Sequence, residues 1–242
     1  PPKAAPGSPG VMAYDPAYIS RGRAFIDANR GFLADLERIY GTSPEILTAV
    51  LIVESRLGTY PMRYRVFGVL ASMALARDRS LVESLAVGRP SLGRLLDDEG
   101  LFKTASSKAS WASRELPHLV ALAGEIGKDP LEIMGSVSGA LGPAQFIPST
   151  FRKYGRDGNG DGKTDPFDMQ DALASMAGYI RSSGWREGSG EAVMRSALWH
   201  YNHSDVYANT VLKIYRELLE AGAAPGGPVD STATPVDAAP RS

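Results

Sequence analysis

The chain has 242 residues, enough for one sizeable domain with its own core, and its 43% hydrophobic and 22% charged residues are ordinary for a globular protein. A formal net charge of -1 without a basic arm excludes the electrostatic footprint of a nucleic-acid-binding protein. The absence of cysteine excludes disulfide frameworks, thiolate zinc sites and cysteine nucleophiles. No apolar run reaches the roughly 18 residues of a transmembrane segment.

The first third of the chain predicts an arm followed by two helical segments. Residues 1–14 are rich in proline, alanine and glycine and are predicted to form a flexible N-terminal arm. Apolar residues at mostly helical spacings predict helical structure over residues 16–40, ended by a glycine. A second helix begins after Ser43, the expected cap, with Pro44 in its first position, and ends before Gly58.

This second helix carries a single acid, Glu54, after a run of apolar residues. Leu47, Val50 and Leu51 precede Glu54 by seven, four and three positions and therefore share its helical face. That face is predicted to point into the protein, where desolvation raises the pKa of a carboxyl group and suits it to general acid catalysis. The alternative is a solvent-edge acid or one paired with Arg56, because structural ion pairs perturb acids too.

The rest of the chain predicts more helices and no convincing series of hairpins, so the fold class is all-α or mostly so. Residues 77–108 give only loops around short helices, and residues 135–148 are dense in glycine, serine and alanine and predict a tight loop. After residue 222 the composition indicates a disordered tail over residues 223–242. The predicted helices cover residues 66–76, 111–126, 130–134, 168–184, 191–199 and 204–221.

Residues 157–168 follow the pattern of an EF-hand calcium loop, with oxygen-bearing side chains at positions one, three, five, nine and twelve and glycine at position six. Calcium requires six to eight oxygen ligands, which a tight loop can converge. Aspartate at position twelve departs from the usual glutamate, and the alternative is an ordinary surface turn. The predicted ligands are Asp157, Asn159, Asp161, Lys163 through its carbonyl, Asp165 and Asp168.

Four segments in this order carry a family resemblance: residues 53–58, residues 135–149, the calcium-type loop, and residues 201–208. The most specific is the block Gly-Ala-Leu-Gly-Pro-Ala-Gln-Phe-Ile-Pro-Ser at residues 139–149. Together they resemble the membrane-bound lytic murein transglycosylase B family over roughly residues 30–220. The resemblance implies a lysozyme-like helical catalytic domain, residues 15–222, with a structural calcium ion and a groove for peptidoglycan glycan strands.

The resemblance also implies the reaction and its residues. Lytic transglycosylases cleave the β-1,4 bond between N-acetylmuramic acid and N-acetylglucosamine without water and leave a 1,6-anhydro-muramoyl end. Glu54 matches the single catalytic acid/base. The implied location is the bacterial cell envelope, in the periplasm, either exported or lipid-anchored through a removed N-terminal segment, and the implied state is a monomer. The matched substrate-binding residues are Ser136, Gln145, Tyr179, Tyr201, Asn202 and Tyr207.

Each matched residue also has a purely structural interpretation. Ser136 can turn its own loop, and Gln145 can close the same loop through backbone groups. Tyr201 and Tyr207 can be core aromatics with tethered hydroxyls. Asn202 can cap the last helix.

Other aromatic residues and both nearby histidines are interpreted as structural. Trp111 and Trp199 are predicted to belong to the core, whereas Trp185 fits either the core or a sugar platform. His200 and His203 lack a third metal ligand at a sensible spacing, so they are taken as structural or groove-lining.

The chain departs from the family pattern in two places. Residues 88–108 look like an insertion, and the segment between residues 185 and 201 is shorter than the family's substrate-side subdomain. Two alternative functions stay open: a hydrolytic muramidase, which usually needs a second carboxylate, and a non-catalytic, calcium-stabilised peptidoglycan-binding module.

Overall fold

The computed structural model describes residues 10–87 and 96–223, which form two compact units. The first unit consists of the chain up to Tyr60 and from Tyr154 onward, and the second is Pro61–Lys153. The predicted arm up to residue 9, residues 88–95 of the predicted insertion and the predicted tail from residue 224 lie outside the described residues.

Helices dominate both units, which confirms the mostly helical fold class. Two short strands, which pair antiparallel, are the exception among the named elements. In chain order the named elements are α1 (Ala17–Ala28), α2 (Arg30–Tyr40), α3 (Pro44–Ser55), β1 (Tyr64–Arg65), α4 (Val66–Leu75), α5 (Arg79–Ala86), α6 (Glu99–Glu125), β2 (Met134–Gly135), α7 (Pro148–Tyr154), α8 (Met169–Ser182), α9 (Glu191–Tyr201) and α10 (Asp205–Ala223).

Helix α3 is the centre of the first unit. Every residue from 46 to 52 is buried, and α3 contacts α1, α2, α8 and α10. A helix that is apolar on all sides is stable only when neighbours surround it, which explains this position. The helix begins at Pro44 as predicted, although the Ser43 hydroxyl makes no capping hydrogen bond. Helix α1 crosses closely at Gly22, where an added Cβ would lie 3.1 Å from Ile52.

The helical structure predicted over residues 16–40 is present as two helices, α1 and α2, because the chain breaks at Asn29. The buried Asn29 side chain donates through Nδ2 to the Phe25 carbonyl at 2.8 Å. Its backbone leaves the helical region at φ -116° and ψ 19°. A side chain that satisfies a helix-end carbonyl allows the chain to turn there and begin α2 in a new direction.

Part of the predicted flexible arm lies against helix α10. The Met12 amide donates to Thr210 Oγ1 at 2.8 Å, and the Tyr14 hydroxyl donates to Glu217 at 2.5 Å. We call residues 10–14 the N-terminal strap. The composition predicted disorder here, but tertiary hydrogen bonds order the strap.

Loss of the Tyr14 hydroxyl should lower stability. In Tyr14→Phe, Glu217 loses one donor and the Lys213 ammonium loses an acceptor at 2.7 Å. Since a partly buried hydrogen bond contributes about 1 kcal/mol, we expect urea denaturation to show a loss of about that size. Tyr18→Phe is the matched control, because the Tyr18 ring packs under Arg21 and its hydroxyl makes no such bond. If both variants were equally stable, the hydrogen bonds of the Tyr14 hydroxyl would not contribute to the stability of the protein.

In the second unit, α4 packs along α6, which starts earlier than predicted. Residues 104–108, predicted as a loop, are helical because Asp98 caps the helix by accepting from the Gly100 and Leu101 amides at 2.9 and 3.0 Å. The polar residues here lie on exposed turns, and Thr104 donates back to the Gly100 carbonyl. Pro117 lies inside the helix without ending it.

The short helix predicted over residues 130–134 is wrong. Met134 begins β2 and pairs with Arg65 of β1, while Gly135 pairs with Tyr64. A Cβ at Gly135 would lie only 2.3 Å from the Ala140 carbonyl oxygen, so the ribbon requires glycine there. This close approach folds the following loop back on the ribbon.

Candidate active site

Glu54 lies in the last turn of α3, in the first unit, and is half-buried. The three apolar residues predicted to share its face, Leu47, Val50 and Leu51, are fully buried. Arg56, the alternative ion-pair partner, lies over the Tyr60 ring instead, at 5.5 Å. The face of α3 that carries the acid therefore points inward.

A tight turn immediately follows the acid. The buried Ser55 hydroxyl donates to the Leu51 carbonyl at 3.3 Å and accepts from the Gly58 amide at 2.9 Å. Arg56 and Leu57 both have positive φ, at 53° and 61°, a conformation that costs about 1–2 kcal/mol per residue outside glycine. Ser55 thus joins the end of α3 to a strained reversal and fixes the backbone next to Glu54.

Burial raises the pKa of Glu54 to about 7, and the Tyr207 hydroxyl lowers it partially. Desolvation disfavours the carboxylate, so Glu54 can hold a proton near neutral pH. Among the described residues, the fully buried Tyr207 hydroxyl completes no hydrogen bond of good geometry. The Tyr207 hydroxyl and the Glu54 carboxyl are therefore close neighbours without a well-formed hydrogen bond between them.

Four tyrosine rings form a row that leads to this acid. Tyr154 and Tyr179 meet edge to face at 4.8 Å, Tyr179 and Tyr201 at 5.4 Å, and Tyr201 stacks on Tyr207 at 6.3 Å. Burial and the nearby Glu54 raise the pKa of Tyr201 and Tyr207 well above the ordinary value of 10, so both remain neutral phenols. We call these four residues the tyrosine row. The structure thus brings Glu54, Tyr179, Tyr201 and Tyr207 together.

Asn202 follows the tyrosine row at the C-cap of α9 and is exposed. The backbone N–H of Asn202 donates to the Leu198 carbonyl at 3.2 Å, which is the last hydrogen bond of α9. The interpretation that Asn202 caps the final helix is wrong, since Ser204 Oγ accepts from the Tyr207 amide at 3.3 Å. The Asn202 side chain is therefore not used in that cap.

Ser136 belongs to the glycine-rich loop of the second unit, and its hydroxyl organises that loop. Ser136 Oγ accepts from the Ala140 amide at 3.0 Å and from the Ser138 amide at 3.2 Å. These two contacts agree with the interpretation that Ser136 turns its own loop. The hydroxyl still has its own hydrogen to donate.

Gln145 lies in the same loop at positive φ, 53°. Its Nε2 donates to the Gly142 carbonyl at 2.8 Å, so the side chain closes the loop through a backbone carbonyl rather than an amide. Leu141 and Phe146 form a β-bridge across it. A non-glycine residue in this strained conformation is typical of functional loops.

The predicted calcium loop is closed by its own acidic side chains. Asp157 accepts from the Gly160 and Gly162 amides at 2.6 and 2.8 Å, Asn159 from the Asp161 amide, and Asp161 from the Lys163 amide. Among the described residues, no three histidine, aspartate or glutamate side chains are grouped to hold a metal ion. The donor chemistry suits a hard cation, and the observed loop satisfies its oxygens internally.

Asp168, the predicted last ligand, caps helix α8 by accepting from the Gln170 and Asp171 amides. Asp171 is buried and was not predicted from the sequence. Its carboxylate accepts from the Gly158 amide at 2.8 Å and from the Asp165 amide at 2.7 Å, so it ties both ends of the loop to α8. The one sequence signal for Asp171 is its position three residues after the helix cap Asp168.

The tryptophans divide differently from the prediction. Trp185 is fully buried and donates to Glu187, so of its two interpretations the core is correct. Trp199, predicted as core, is 38% exposed, which corrects that prediction. Its ring meets those of His203 at 4.4 Å and His200 at 5.9 Å.

Two further residues near the predicted sites, Tyr154 and Glu115, were not predicted from the sequence. Tyr154 begins the tyrosine row, yet its spacing to the other tyrosines is not periodic. Glu115 is buried in α6 and accepts from the Ser149 amide and hydroxyl at 2.9 and 2.8 Å, anchoring the chain after Gln145. A lone acid on a helix face carries no signal for such a distant contact.

Comparison with known proteins adds family information. A family model described as "Transglycosylase SLT domain" matches residues 11–196. Membrane-bound lytic murein transglycosylase B of Escherichia coli (strain K12) is 28% identical over 179 residues, which cover 74% of this chain. The matched region is 42% of that relative, so the chain spans less than half of its length.

Solved structures share the fold. Escherichia coli lytic transglycosylase Slt35, in complex with calcium, matches with a TM-score of 0.68 and 22% identity over 86% of this chain and 76% of that chain. Pseudomonas aeruginosa SltB3, in complex with NAG-NAM-pentapeptide, matches with a TM-score of 0.66 and 20% identity. This match covers 90% of this chain and 68% of that chain. These matches confirm the predicted helical fold.

Proposed function

Because this chain belongs to the transglycosylase SLT domain family, whose model matches more than half of it, we propose that it is a peptidoglycan lytic transglycosylase. The relative from Escherichia coli carries murein, which is peptidoglycan, in its name. The SltB3 structure holds a peptide-bearing disaccharide of that polymer. The reaction proposed is cleavage of the β-1,4 bond after N-acetylmuramic acid with formation of a 1,6-anhydro end.

The observation that carries this proposal is the half-buried Glu54, whose pKa is about 7. Desolvation is the main cause of that shift, and no second carboxyl among the described residues contributes to it. A single acid with a pKa near neutrality can both donate and accept a proton in one cycle. This supports a reaction in which the substrate supplies its own nucleophile.

In the proposed mechanism, Glu54 first gives its proton to the glycosidic oxygen while the bond from that oxygen to C1 of the muramoyl residue breaks. The 2-acetamido oxygen stabilises the developing positive charge at C1, as in substrate-assisted glycosidases. The C6 hydroxyl oxygen then bonds to C1 and displaces the acetamido oxygen. Its proton passes to the Glu54 carboxylate, which restores the acid.

The other matched residues are proposed to bind the sugar. Tyr201 and Tyr207 remain neutral phenols beside Glu54. Tyr201 is proposed to donate a hydrogen bond to a sugar oxygen. For Tyr207, whose hydroxyl is buried, the proposed sugar contact rests on the family resemblance. Asn202 is exposed next to them and offers both a donor and an acceptor to an acetamido group. For Ser136 and Gln145 the proposed groove role rests on the family resemblance, and it uses the hydroxyl hydrogen and the amide oxygen that their loop contacts leave available.

Tyr179 is proposed to act on the substrate through the tyrosine row. Its hydroxyl donates to the His200 carbonyl at 2.9 Å, and its ring contacts Tyr201. This pair of contacts orients Tyr201 and ties α8 to the end of α9. We therefore assign Tyr179 the support of Tyr201 in addition to the groove-lining role matched by the resemblance.

Digestion of purified murein tests the proposed function. Mass spectrometry of the released muropeptides should show anhydro-muramoyl ends, which are lighter by one water than reducing ends. Reducing ends would instead identify a hydrolytic muramidase. No products, together with sedimentation of the protein alongside murein, would identify a binding module.

We also propose a structural calcium ion at residues 157–168. In support, the loop offers carboxylate and amide oxygens at calcium-loop spacing, and Slt35 is described in complex with calcium. Calcium would bring these oxygens onto one ion and link the loop to α8. The proposed ligands are Asp157, Asn159, Asp161, the Lys163 carbonyl, Asp165 and Asp168.

Calcium should raise the melting temperature of chelator-treated protein. Binding to the native state alone stabilises it by about 2.7 kcal/mol when free calcium exceeds the dissociation constant a hundredfold. Differential scanning fluorimetry with calcium chloride measures this increase. Asp157→Asn should weaken it, while the exposed Asp97→Asn is the matched control. If calcium does not change the melting curve of the unmodified protein, the proposed calcium site is wrong.

The proposed substrate places the protein in the bacterial cell envelope, and we propose the periplasm as its location, reached by export or through a lipid anchor. The relative's name describes that protein as membrane-bound. Over the described ranges, no helix has the length and apolar character needed to cross a membrane. We propose a monomer as the active form, which analytical ultracentrifugation would test.

A further inference from the structure

We propose that Trp199, supported by His203, is a sugar-stacking residue that binds a pyranose ring of the glycan strand beside the reacting sugar. This inference rests on the proposed function and adds a substrate contact that the family motifs do not include. It was not expected from the sequence, which predicted Trp199 as a core residue.

The first observation is the exposure of Trp199. Of the protein's large aromatic side chains, Trp185 is fully buried, whereas 38% of Trp199 is accessible to solvent. Exposed tryptophan surface is typical of binding sites, since the ring presents a large apolar area with few rotatable bonds. The exposed ring is also held in place, because His203 meets it at 4.4 Å and 69° and His200 at 5.9 Å and 79°.

The second observation is the position of Trp199 relative to Asn202. Trp199 lies in the last turn of α9, Asn202 is the extended C-cap that follows, and the His203 ring after it meets the Trp199 ring at 4.4 Å. All three residues are exposed. Asn202 is proposed to bind the acetamido group of the reacting sugar, and Trp199 contacts the ring of His203, the residue directly after Asn202.

The third observation connects this face to the tyrosine row. The Tyr179 hydroxyl donates to the carbonyl of His200, the residue between Trp199 and Tyr201. The end of α9 is thereby fixed against α8, and the aromatic side chains on both sides of it keep their places. A rigid end of α9 presents Trp199 without a large entropic cost of ordering it upon binding.

The chemistry of this face fits a sugar. A pyranose ring presents apolar C–H groups on its faces and hydroxyl groups around its edge. The Trp199 ring can cover one apolar face, while the Asn202 amide and a His203 ring nitrogen offer hydrogen bonds at the edge. A stem peptide is the competing ligand, and Arg195, one turn before Trp199, is the residue that its carboxylates would contact.

Binding without turnover tests this proposal. In Glu54→Gln protein, peptide-free glycan strands should change the tryptophan fluorescence, and sedimentation should give their dissociation constant. Adding Trp199→Leu should abolish most of the fluorescence change and raise the dissociation constant about tenfold, as expected for a lost aromatic contact. Trp199→Phe should recover part of the affinity. Trp111→Leu is the matched control, because it makes the same change at a half-buried tryptophan of α6 to which no glycan contact is assigned.

Each outcome decides the question. Unchanged glycan affinity in the Trp199→Leu protein would overturn the proposal, and so would a loss seen only with peptide-bearing strands and reproduced by Arg195→Ala. Failure of the proposed function is distinguishable. In that case the unmodified enzyme would release no anhydro products and Glu54→Gln would bind no glycan. With anhydro products released and Trp199 dispensable, only the stacking site would fail.

Discussion

Replacement of Glu54 by glutamine should abolish the release of anhydro-muramoyl products from murein. A neutral amide of the same shape can neither protonate the glycosidic oxygen nor take the proton of the C6 hydroxyl. General acid–base catalysis contributes about 10²–10⁴-fold to rates, and here one residue performs both transfers, so we expect a loss at the upper end of that range. Turbidity of a murein suspension and mass spectrometry of the soluble fraction measure it.

The control separates the loss of chemistry from the loss of fold. Glu220→Gln makes the same chemical change at an exposed position of α10 and should retain full activity. Glu54→Gln should also keep its helical circular dichroism and its response to calcium. If it still cleaves murein at more than a tenth of the normal rate, another residue is the acid.

The same substitution should make the protein more stable at alkaline pH. Burial raises the pKa of Glu54 from 4.5 in the unfolded chain to about 7 in the folded protein. Between these two values the folded state holds a proton that the unfolded state has released, so stability falls as the pH rises through this window. The shift corresponds to ~3 kcal/mol above pH 7, the cost of a desolvated carboxylate. Glutamine carries no such charge.

Urea denaturation measures the free energy of unfolding of the variant and of the unmodified protein near pH 4 and near pH 8, and the stability difference between the two proteins is then compared at the two pH values. The free energy of unfolding of Glu54→Gln relative to the unmodified protein should increase by about 2–3 kcal/mol between the two conditions. Glu220→Gln, the same chemical change at an exposed position, is the matched control. A pH-independent difference for Glu54→Gln would mean that the carboxyl is well solvated in the folded protein. The catalytic acid would then lack the proton that its proposed role requires at neutral pH.

The sequence predicted the surroundings of Glu54 well because α3 is apolar on every side. Any packing that buries residues 46–52 also draws the last turn inward, so burial of the acid follows from local pattern alone. The break at Asn29 was missed because it depends on one side chain bonding to the Phe25 carbonyl. The residues on either side of that break are equally compatible with a continuous helix.

Contacts between distant segments account for the other differences. Asp171 and Glu115 each accept two or more hydrogen bonds from remote groups. The spacing of Asp171 from the helix cap Asp168 marks a helix start but does not reveal its contacts with the loop, and Glu115 carries no signal at all. Trp199 was predicted as a core residue because the sequence cannot distinguish a buried tryptophan from one at the exposed end of a helix. The strap at residues 10–14 was missed because its composition is that of a disordered segment, whereas its order comes from α10.

Helix α3 also has an electrical polarity. Its peptide dipoles place partial positive charge at the first turn and partial negative charge at the last. Glu45 lies in the first turn, beside Arg23 at 2.8 Å, where a carboxylate is favoured. Glu54 lies in the last turn, where the same dipoles oppose ionisation. One helix therefore holds two glutamates in opposite settings. Glu45 pairs with a cation at the positive end, and Glu54, the proposed catalytic acid, lies at the negative end.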